Sequence, residues 1–232
     1  MLQMPVAHTR GVRERQGKNH SVIYPGSSIK ATIYTIAAVL LWSGLAHAEL
    51  SANIGWASDY FYRGILQAPS SASGGIDFER NGFYVGTWAA DVNDGLEVDG
   101  FFGYANEIND ISYSVGFTGY YYTGDFDDTY QEVNLGAGYG FATIDVAVGE
   151  YDNFDGPVED YTYYALTLEH DGFYGKYAGF TQDFDGEYVE IGYATTVAEL
   201  DLGFAAIFAN SDLVGESTES LVFTIGKTFN LN

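Results

Sequence analysis

The protein has 232 residues, no cysteine, 17% aromatic residues and a formal net charge of −23. Without cysteine its stability cannot come from disulfides. So acidic a chain is also a poor partner for nucleic acid, because phosphate binding requires a cationic surface.

The first element is a basic head, residues 1–48. It holds five of the nine Lys and Arg residues but only one of the 32 acidic residues, which leaves a strongly acidic body. Lys30 precedes ATIYTIAAVLLWSGLAHA, whose apolar stretch is shorter than the ~20 residues of a membrane-spanning helix. Ala46-His47-Ala48 has the small-x-small pattern of a signal peptidase site. We expect a signal peptide cleaved after Ala48, with an amphipathic N-terminal anchor as the alternative.

The body, residues 49–232, alternates with a period of two. Ile111, Tyr113 and Val115 point to one face of an extended chain, and Ser112 and Ser114 point to the other. Most predicted strands are near the ~9–11 residues that a tilted membrane strand requires. Twelve strands are predicted, at residues 50–62, 73–80, 83–91, 96–105, 111–123, 130–140, 142–150, 161–169, 173–182, 187–196, 199–208 and 219–229.

The links between these strands alternate in length. One set is short: RN, NEIND, the Gly140-Phe141 corner, HDG and TVAE. The other set is mostly longer and concentrates acid, Gly and Pro: RGILQAPSSA, DVNDG, GDFDDT, YDNFDGPVED, QDFDGE and ANSDLVGEST. Pro69 and the serines near it predict a flexible first loop. Outer-membrane barrels have short turns at one end and long loops at the other. The pattern therefore predicts an all-β protein, a closed antiparallel up-and-down transmembrane β-barrel of about 12 strands.

The less apolar face carries many carboxylates, which an apolar core cannot hold unpaired. We therefore expect water on that face, although a soluble antiparallel sheet with one wet side would alternate in the same way. Arg63 has two possible functional roles: it could hold the first loop over the barrel mouth, or it could set a constriction. The alternative is that it merely neutralises nearby acidic residues. The predicted lumen-lining or constriction residues are Asp59, Arg63, Asp77, Glu97, Asp99, Glu132, Asp145, Glu190 and Asp201.

Aromatic residues cluster near predicted strand ends. Amphipathic rings favour the headgroup level of a membrane, so the cluster predicts girdles at the rims, although β-rich proteins use aromatics often in any case. The predicted girdle residues are Tyr60, Tyr62, Tyr104, Tyr120, Tyr121, Tyr122, Tyr161, Tyr163 and Tyr164.

Several segments carry a resemblance to a known family. SDYFYRGILQ, GGIDFE and GFYVGTWAADV, followed by SYSVGFTGYYYTGD and YQEVNLGAGYG, resemble the TorF-like porin family of bacterial outer-membrane proteins. The resemblance covers nearly all of Glu49–Asn232 and implies an outer-membrane β-barrel with a pore role. One departure is the C-terminus, where Phe229 is followed by Asn230-Leu231-Asn232 instead of ending the chain as the aromatic residue that insertion machinery reads.

Catalytic chemistry has little support. His170 is the only histidine after Ala48, so neither a Ser-His-Asp triad nor a His-based metal cluster can be assembled. We predict no enzyme activity and no cofactor. Three acidic loops could bind calcium weakly through alternate oxygen ligands, or could simply be solvated. Their candidate ligands are Asp125, Asp127, Asp152, Asp155, Asp183 and Asp185.

Together these features predict a porin-like channel for passive diffusion of small solutes. An acidic lumen concentrates cations, so we expect cation preference. The expected partners are outer-membrane lipid, small hydrophilic or cationic solutes and the barrel-assembly machinery. A non-conducting barrel with a structural or adhesive role, and a soluble secreted β-barrel binding protein, are the alternatives.

Overall fold

The computed structural model describes residues 49–231, and the predicted signal peptide lies outside them. Twelve antiparallel strands close into one barrel, in which β1 pairs with both β2 and β12. The predicted fold class and strand number are confirmed. The strands are β1 (Glu49–Tyr62), β2 (Ile65–Arg80), β3 (Phe83–Val92), β4 (Gly95–Ile108), β5 (Ile111–Tyr122), β6 (Tyr130–Tyr139), β7 (Ala142–Tyr151), β8 (Glu159–His170), β9 (Phe173–Gln182), β10 (Glu187–Val197), β11 (Leu200–Ala209) and β12 (Thr218–Asn230).

The outer wall of the barrel is apolar. Ile54 is 59% exposed, Phe102 58% and Leu221 81%, although each belongs to a regular strand. Successive strand residues alternate between the two faces, and many of the polar residues that alternate with this apolar wall point inward. The only helix among the described residues, α1 (Ser211–Val214), is short, and no helix in residues 49–231 could cross a membrane.

One end of the barrel, here called the turn end, has only two-residue turns. They are Asn81–Gly82, Asn109–Asp110, Gly140–Phe141, Asp171–Gly172 and Ala198–Glu199. In four of them both residues have positive φ. That backbone matches the twist of the flanking strands, which is why Asn, Asp and Gly dominate such hairpin turns. Ala198 and Glu199 take it at φ 50° and 64° without the help of a glycine.

The opposite end, the loop end, partly departs from the prediction. The four later links there are longer, as expected, but the first two are two-residue turns at Arg63–Gly64 and Asn93–Asp94. The expectation of a flexible first loop was wrong: most of RGILQAPSSA is the first half of β2. Pro69 fits a strand here because that half of β2 pairs with β1 alone, and proline is tolerated where a strand has a free edge.

Glycines let bulky rings lie against the inner wall at the turn half of the barrel. A methyl group added at Gly103 on β4 would collide with the Tyr84 hydroxyl and with the Val115 carbonyl oxygen. By contrast, a methyl group at Gly100 on the same strand would meet nothing within 4 Å. Gly103 is therefore required for close packing of Tyr84, and Gly100 is not.

Candidate functional site

The first two strands leave the barrel wall near the loop end. β1 pairs with β12 only as far as Ala57, and β2 pairs with β3 only from Ser73 onward. Between these points β1 and β2 pair with each other alone, with a bulge between Tyr60 and Phe61. We call residues 58–72 the inner hairpin. At its base the backbone N–H of Phe223 donates to Ser58 Oγ at 3.0 Å, which replaces the lost strand pairing.

The tip of the inner hairpin lies inside the barrel. Arg63, in the turn, is only 3% exposed. Its guanidinium donates two hydrogen bonds to Glu132, at 2.9 and 2.7 Å, and Glu132 is on β6, five strands away around the wall. Gly64 packs against β10, because a Cβ placed on it would lie 2.7 Å from Tyr188 Cγ. The hairpin therefore spans the lumen and joins opposite walls.

Glu132 is held by more than Arg63. The Tyr120 and Tyr161 hydroxyls donate to it at 2.7 and 2.8 Å, and the Asn134 amide donates at 2.8 Å. A buried ion pair survives desolvation only where further hydrogen bonds satisfy its atoms, and bidentate Arg–carboxylate pairs have the best geometry. Five hydrogen bonds to one carboxylate meet that condition.

Aromatic rings fill the space around the guanidinium. Arg63 Cζ lies 4.1 Å from the centre of the Tyr163 ring and 4.7 Å from that of Tyr62, within cation–π range. The Tyr62 hydroxyl donates to that of Tyr120 at 3.3 Å. The space between these groups is too narrow for a water molecule; it is lined by Tyr62, Arg63, Tyr120, Tyr122, Tyr130, Tyr161 and Phe180. The groups around the Arg63 guanidinium are therefore closely packed in this conformation.

The girdle prediction was wrong for most of its tyrosines. Five are buried inside the barrel: Tyr60, Tyr62, Tyr120, Tyr161 and Tyr163. Tyr122 also packs on this interior cluster. The physical reason is that their hydroxyls find carboxylates and one another in the lumen. Strand parity carried the signal, since Tyr161 and Tyr163 alternate with residues of the outer face. The bulge at Tyr60/Phe61 shifted that parity in β1.

The other predicted lumen residues fall into separate groups. Glu97 and Asp99 are buried on β4 beneath the hairpin. Glu190 accepts from the Tyr174 hydroxyl and lies 3.9 Å from Lys176 Nζ, a pairing that the sequence did not suggest. The remaining four lie elsewhere on the inner face. Asp77 accepts from the Asn53 amide at 3.2 Å, and Asp201 accepts from the Thr196 hydroxyl at 2.7 Å. Asp145 is half-buried on β7, and half-buried Asp59 pairs with Pro69 at the hairpin base.

The acidic residues of the outer loops mostly organise the loops themselves. Asp127 accepts from the hydroxyls of Tyr130 and Tyr151, and Asp183 accepts from the backbone N–H of Asp160. Asp185 accepts from the N–H of Gly186. Asp125, Asp152 and Asp155 are exposed. Within residues 49–231, no three His, Asp or Glu side chains are grouped so that they could hold a metal ion.

A family model described as "Bacterial protein of unknown function (Gcw_chp)" matches residues 43–226. The chain belongs to the Gcw_chp family. No curated protein matches this Gcw_chp chain in sequence. The family match carries no function and does not test the resemblance to TorF-like porins, which stays a prediction.

One solved structure is similar to this chain in fold, and porin structures match it more weakly. A chain from the study "Unveiling the Mechanism Behind the in-meso Crystallization of Membrane Proteins" matches with a TM-score of 0.52 and 7% identity, over 80% of this Gcw_chp chain and 84% of that one. A BenF-like porin from Pseudomonas fluorescens Pf-5 matches with a TM-score of 0.39 and 13% identity, over 76% of this chain and 59% of the porin. Pseudomonas aeruginosa OccK2 (OpdF), solved in complex with glucuronate, matches with a TM-score of 0.39 and 13% identity, over 79% of this chain and 62% of OccK2.

Proposed function

We propose that this Gcw_chp protein is a porin-like channel of the bacterial outer membrane, exported by its signal peptide and closed by the inner hairpin. The observation that carries the proposal is the closed barrel with large apolar side chains exposed outside and ionisable side chains inside. Membrane barrels have this arrangement. A soluble barrel would place its apolar residues in the interior, so the pattern argues against the soluble alternative.

The number of strands supports a small conduit. Barrels of about eight strands are filled by their side chains, whereas those of about 16 hold an open channel. Here the inner hairpin supplies the filling in the loop half of a twelve-stranded wall. Withdrawal of the hairpin would leave a passage suited to small solutes. The long-range ion pair of Arg63 with Glu132 is the contact that holds it closed.

The charges on the inner face support the proposed cation preference. Arg63 and Lys176 are the cations placed there among the described residues, and both lie against carboxylates. The carboxylates of the inner face outnumber them: Asp77, Glu97, Asp99, Glu132, Asp145 and Glu190. A low-dielectric conduit lined by one sign of charge concentrates the opposite ion. Passive diffusion of small cations is therefore the proposed activity.

Two experiments test the proposal. Membrane fractionation with heat-dependent gel mobility tests the membrane barrel, and recovery in the aqueous fraction would overturn it. Planar-bilayer recording tests the channel and the hairpin. Because the chain has no cysteine, the variant Gly64→Cys/Tyr188→Cys can fasten the hairpin to the wall specifically. A Cβ on Gly64 would lie 2.9 Å from Tyr188 Cβ, so a slight retreat of the turn gives the ~3.8 Å of a disulfide.

We expect brief openings in the wild-type protein, no openings in the oxidised variant, and a return of the openings when the variant is reduced. The two single-cysteine variants are the controls. Openings that persist in the oxidised variant would refute the role of the hairpin as the closure.

A second candidate is a non-conducting barrel with a structural or adhesive role. The tight packing around Arg63 favours it, since that part of the lumen admits no water. The two candidates differ in one readout. A refolded barrel that stays silent in bilayers, even after the Arg63–Glu132 pair has been disrupted, supports the non-conducting role.

A further inference from the structure

Two carboxylates lie directly below the inner hairpin on the inner face of β4. Glu97 is 0% exposed and Asp99 is 2% exposed. They occupy successive inward positions of one strand, so their Cα atoms are about 7 Å apart. Glu97 accepts from the Tyr60 hydroxyl at 2.9 Å, which ties this pair to the hairpin.

Asp99 differs from the other buried acids. Neither of its carboxylate oxygens has a hydrogen-bond partner among residues 49–231, whereas Glu132 accepts five hydrogen bonds. Burial of an ionised carboxylate without a partner is very costly. The described lysine and arginine of the inner face are already placed against other acids. A cation that reached Asp99 would therefore be stabilised strongly.

The walls around this carboxylate are aromatic. Trp88 lies opposite Asp99 in the pairing of β3 with β4, and its indole N–H has no partner among the described residues. Tyr60 meets Trp88 edge-on, with ring centres 5.8 Å apart. Phe101, the next inward residue of β4, is also buried. Carboxylates with aromatic rings beside them suit an organic ammonium ion, which can gain from both the charge and the ring quadrupoles.

A metal ion fits this place poorly. Calcium takes six to eight oxygen ligands, and no group of three His, Asp or Glu residues in the described part of the chain could hold a metal. We propose that Asp99 and Glu97, framed by Trp88, Tyr60 and Phe101, form a binding site for a small primary ammonium ion. The site deepens the proposed function, because its ligand would be a cation that enters the lumen.

The test is a binding measurement on refolded protein in detergent. The variant Trp56→Phe leaves Trp88 as the only tryptophan of residues 49–232, so its fluorescence reports on the site. Potassium chloride is replaced stepwise by methylammonium chloride at constant ionic strength. A saturable change in Trp88 fluorescence is expected.

Two further variants in the same background decide the role of Asp99. Asp99→Asn keeps the shape and removes the charge, and it should weaken methylammonium binding by about tenfold or more. Asp91→Asn removes the same charge from an exposed position on the neighbouring strand β3, and it should bind like the parent. Heat-dependent gel mobility establishes that each variant is folded.

Several outcomes overturn the site. They are the absence of any change when methylammonium replaces potassium, equal binding by Asp99→Asn, and equal weakening by Asp91→Asn. Binding is measured in detergent and does not depend on conduction. A protein that binds methylammonium but never conducts would therefore contradict the proposed channel and support the binding site. A protein that conducts but does not bind methylammonium would support the channel and contradict the binding site.

Discussion

Replacement of Glu132 by glutamine is the sharpest test of the closure. Glu132→Gln nearly preserves the side-chain shape but removes the charge that faces the Arg63 guanidinium, which is 3% exposed. Its new amide group replaces one of the two oxygens, each of which accepts from Arg63 and from a tyrosine hydroxyl. Breaking a buried ion pair by removing one partner costs about 3–5 kcal/mol.

The substitution weakens the contact between the hairpin tip and the wall by that free energy. The backbone pairing of β6 with its neighbouring strands is unchanged. Since every 1.4 kcal/mol is about tenfold in an equilibrium constant, the open population should rise by two orders of magnitude or more. Single-channel recording should show a large gain in open probability for Glu132→Gln. Unchanged open probability, in protein that retains heat-dependent mobility, would refute the closure by Arg63.

Two controls separate this effect from general loss of a buried carboxylate. Glu190→Gln removes an acid that contacts Tyr174 and Lys176 in the wall and not the hairpin tip, so it should stay closed. The double variant Arg63→Met/Glu132→Leu removes both charges. Because apolar replacement of a buried ion pair is often neutral or stabilising, this double variant should close again.

Three other predictions follow from packing, turn geometry and charge. Gly103→Ala should lower the free energy of unfolding by about 1–3 kcal/mol, because the added methyl group collides with Tyr84. Urea titration in lipid measures this change, and the control Gly100→Ala should be neutral. Equal effects of the two substitutions would contradict the proposed packing. Ala198→Asn should raise the unfolding free energy by up to about 1 kcal/mol, because asparagine tolerates the positive φ there, and a loss of stability would count against the turn assignment. In a salt gradient the open Glu132→Gln variant should show a cation-selective reversal potential that weakens as ionic strength rises, and an anion-selective one would reject the acidic lining as the selectivity determinant.

The sequence was sufficient for the barrel because its two faces differ so clearly. Alternation such as that of Ile111 to Val115 fixed the strand count, and the Asn-Gly type of turn marked the turn end. The inner hairpin was not predicted. The length and composition of RGILQAPSSA predicted a loop. In the structure Arg63 and Gly64 instead form a two-residue hairpin turn, with positive φ values of 45° and 84°.

The site was only half accessible from sequence. Parity placed Arg63 and Glu132 on one interior surface, but it predicts pairing only between neighbouring strands. Their contact spans 69 residues and five strands, and it depends on how far the hairpin tilts inward. The interior tyrosines were misplaced for a related reason. A ring with a hydroxyl suits a membrane interface and a buried carboxylate equally well, and only the fold decides between them.

The way the first two strands leave the wall also constrains the order of assembly. The inner hairpin is synthesised early, yet its tip contacts β5, β6 and β10, with sequence separations of 58 residues for Tyr62–Tyr120 and 69 for Arg63–Glu132. Contacts so distant in sequence form slowly, because the ordering of the intervening chain must come first. The hairpin can reach its position in the lumen only after those later strands are in place. Closure of the barrel between β1 and β12 requires only the seven residue pairs from Ser51 to Ala57. Insertion of the barrel and closure of its mouth are thus separable events, and a nascent barrel passes through a stage with an unsealed mouth.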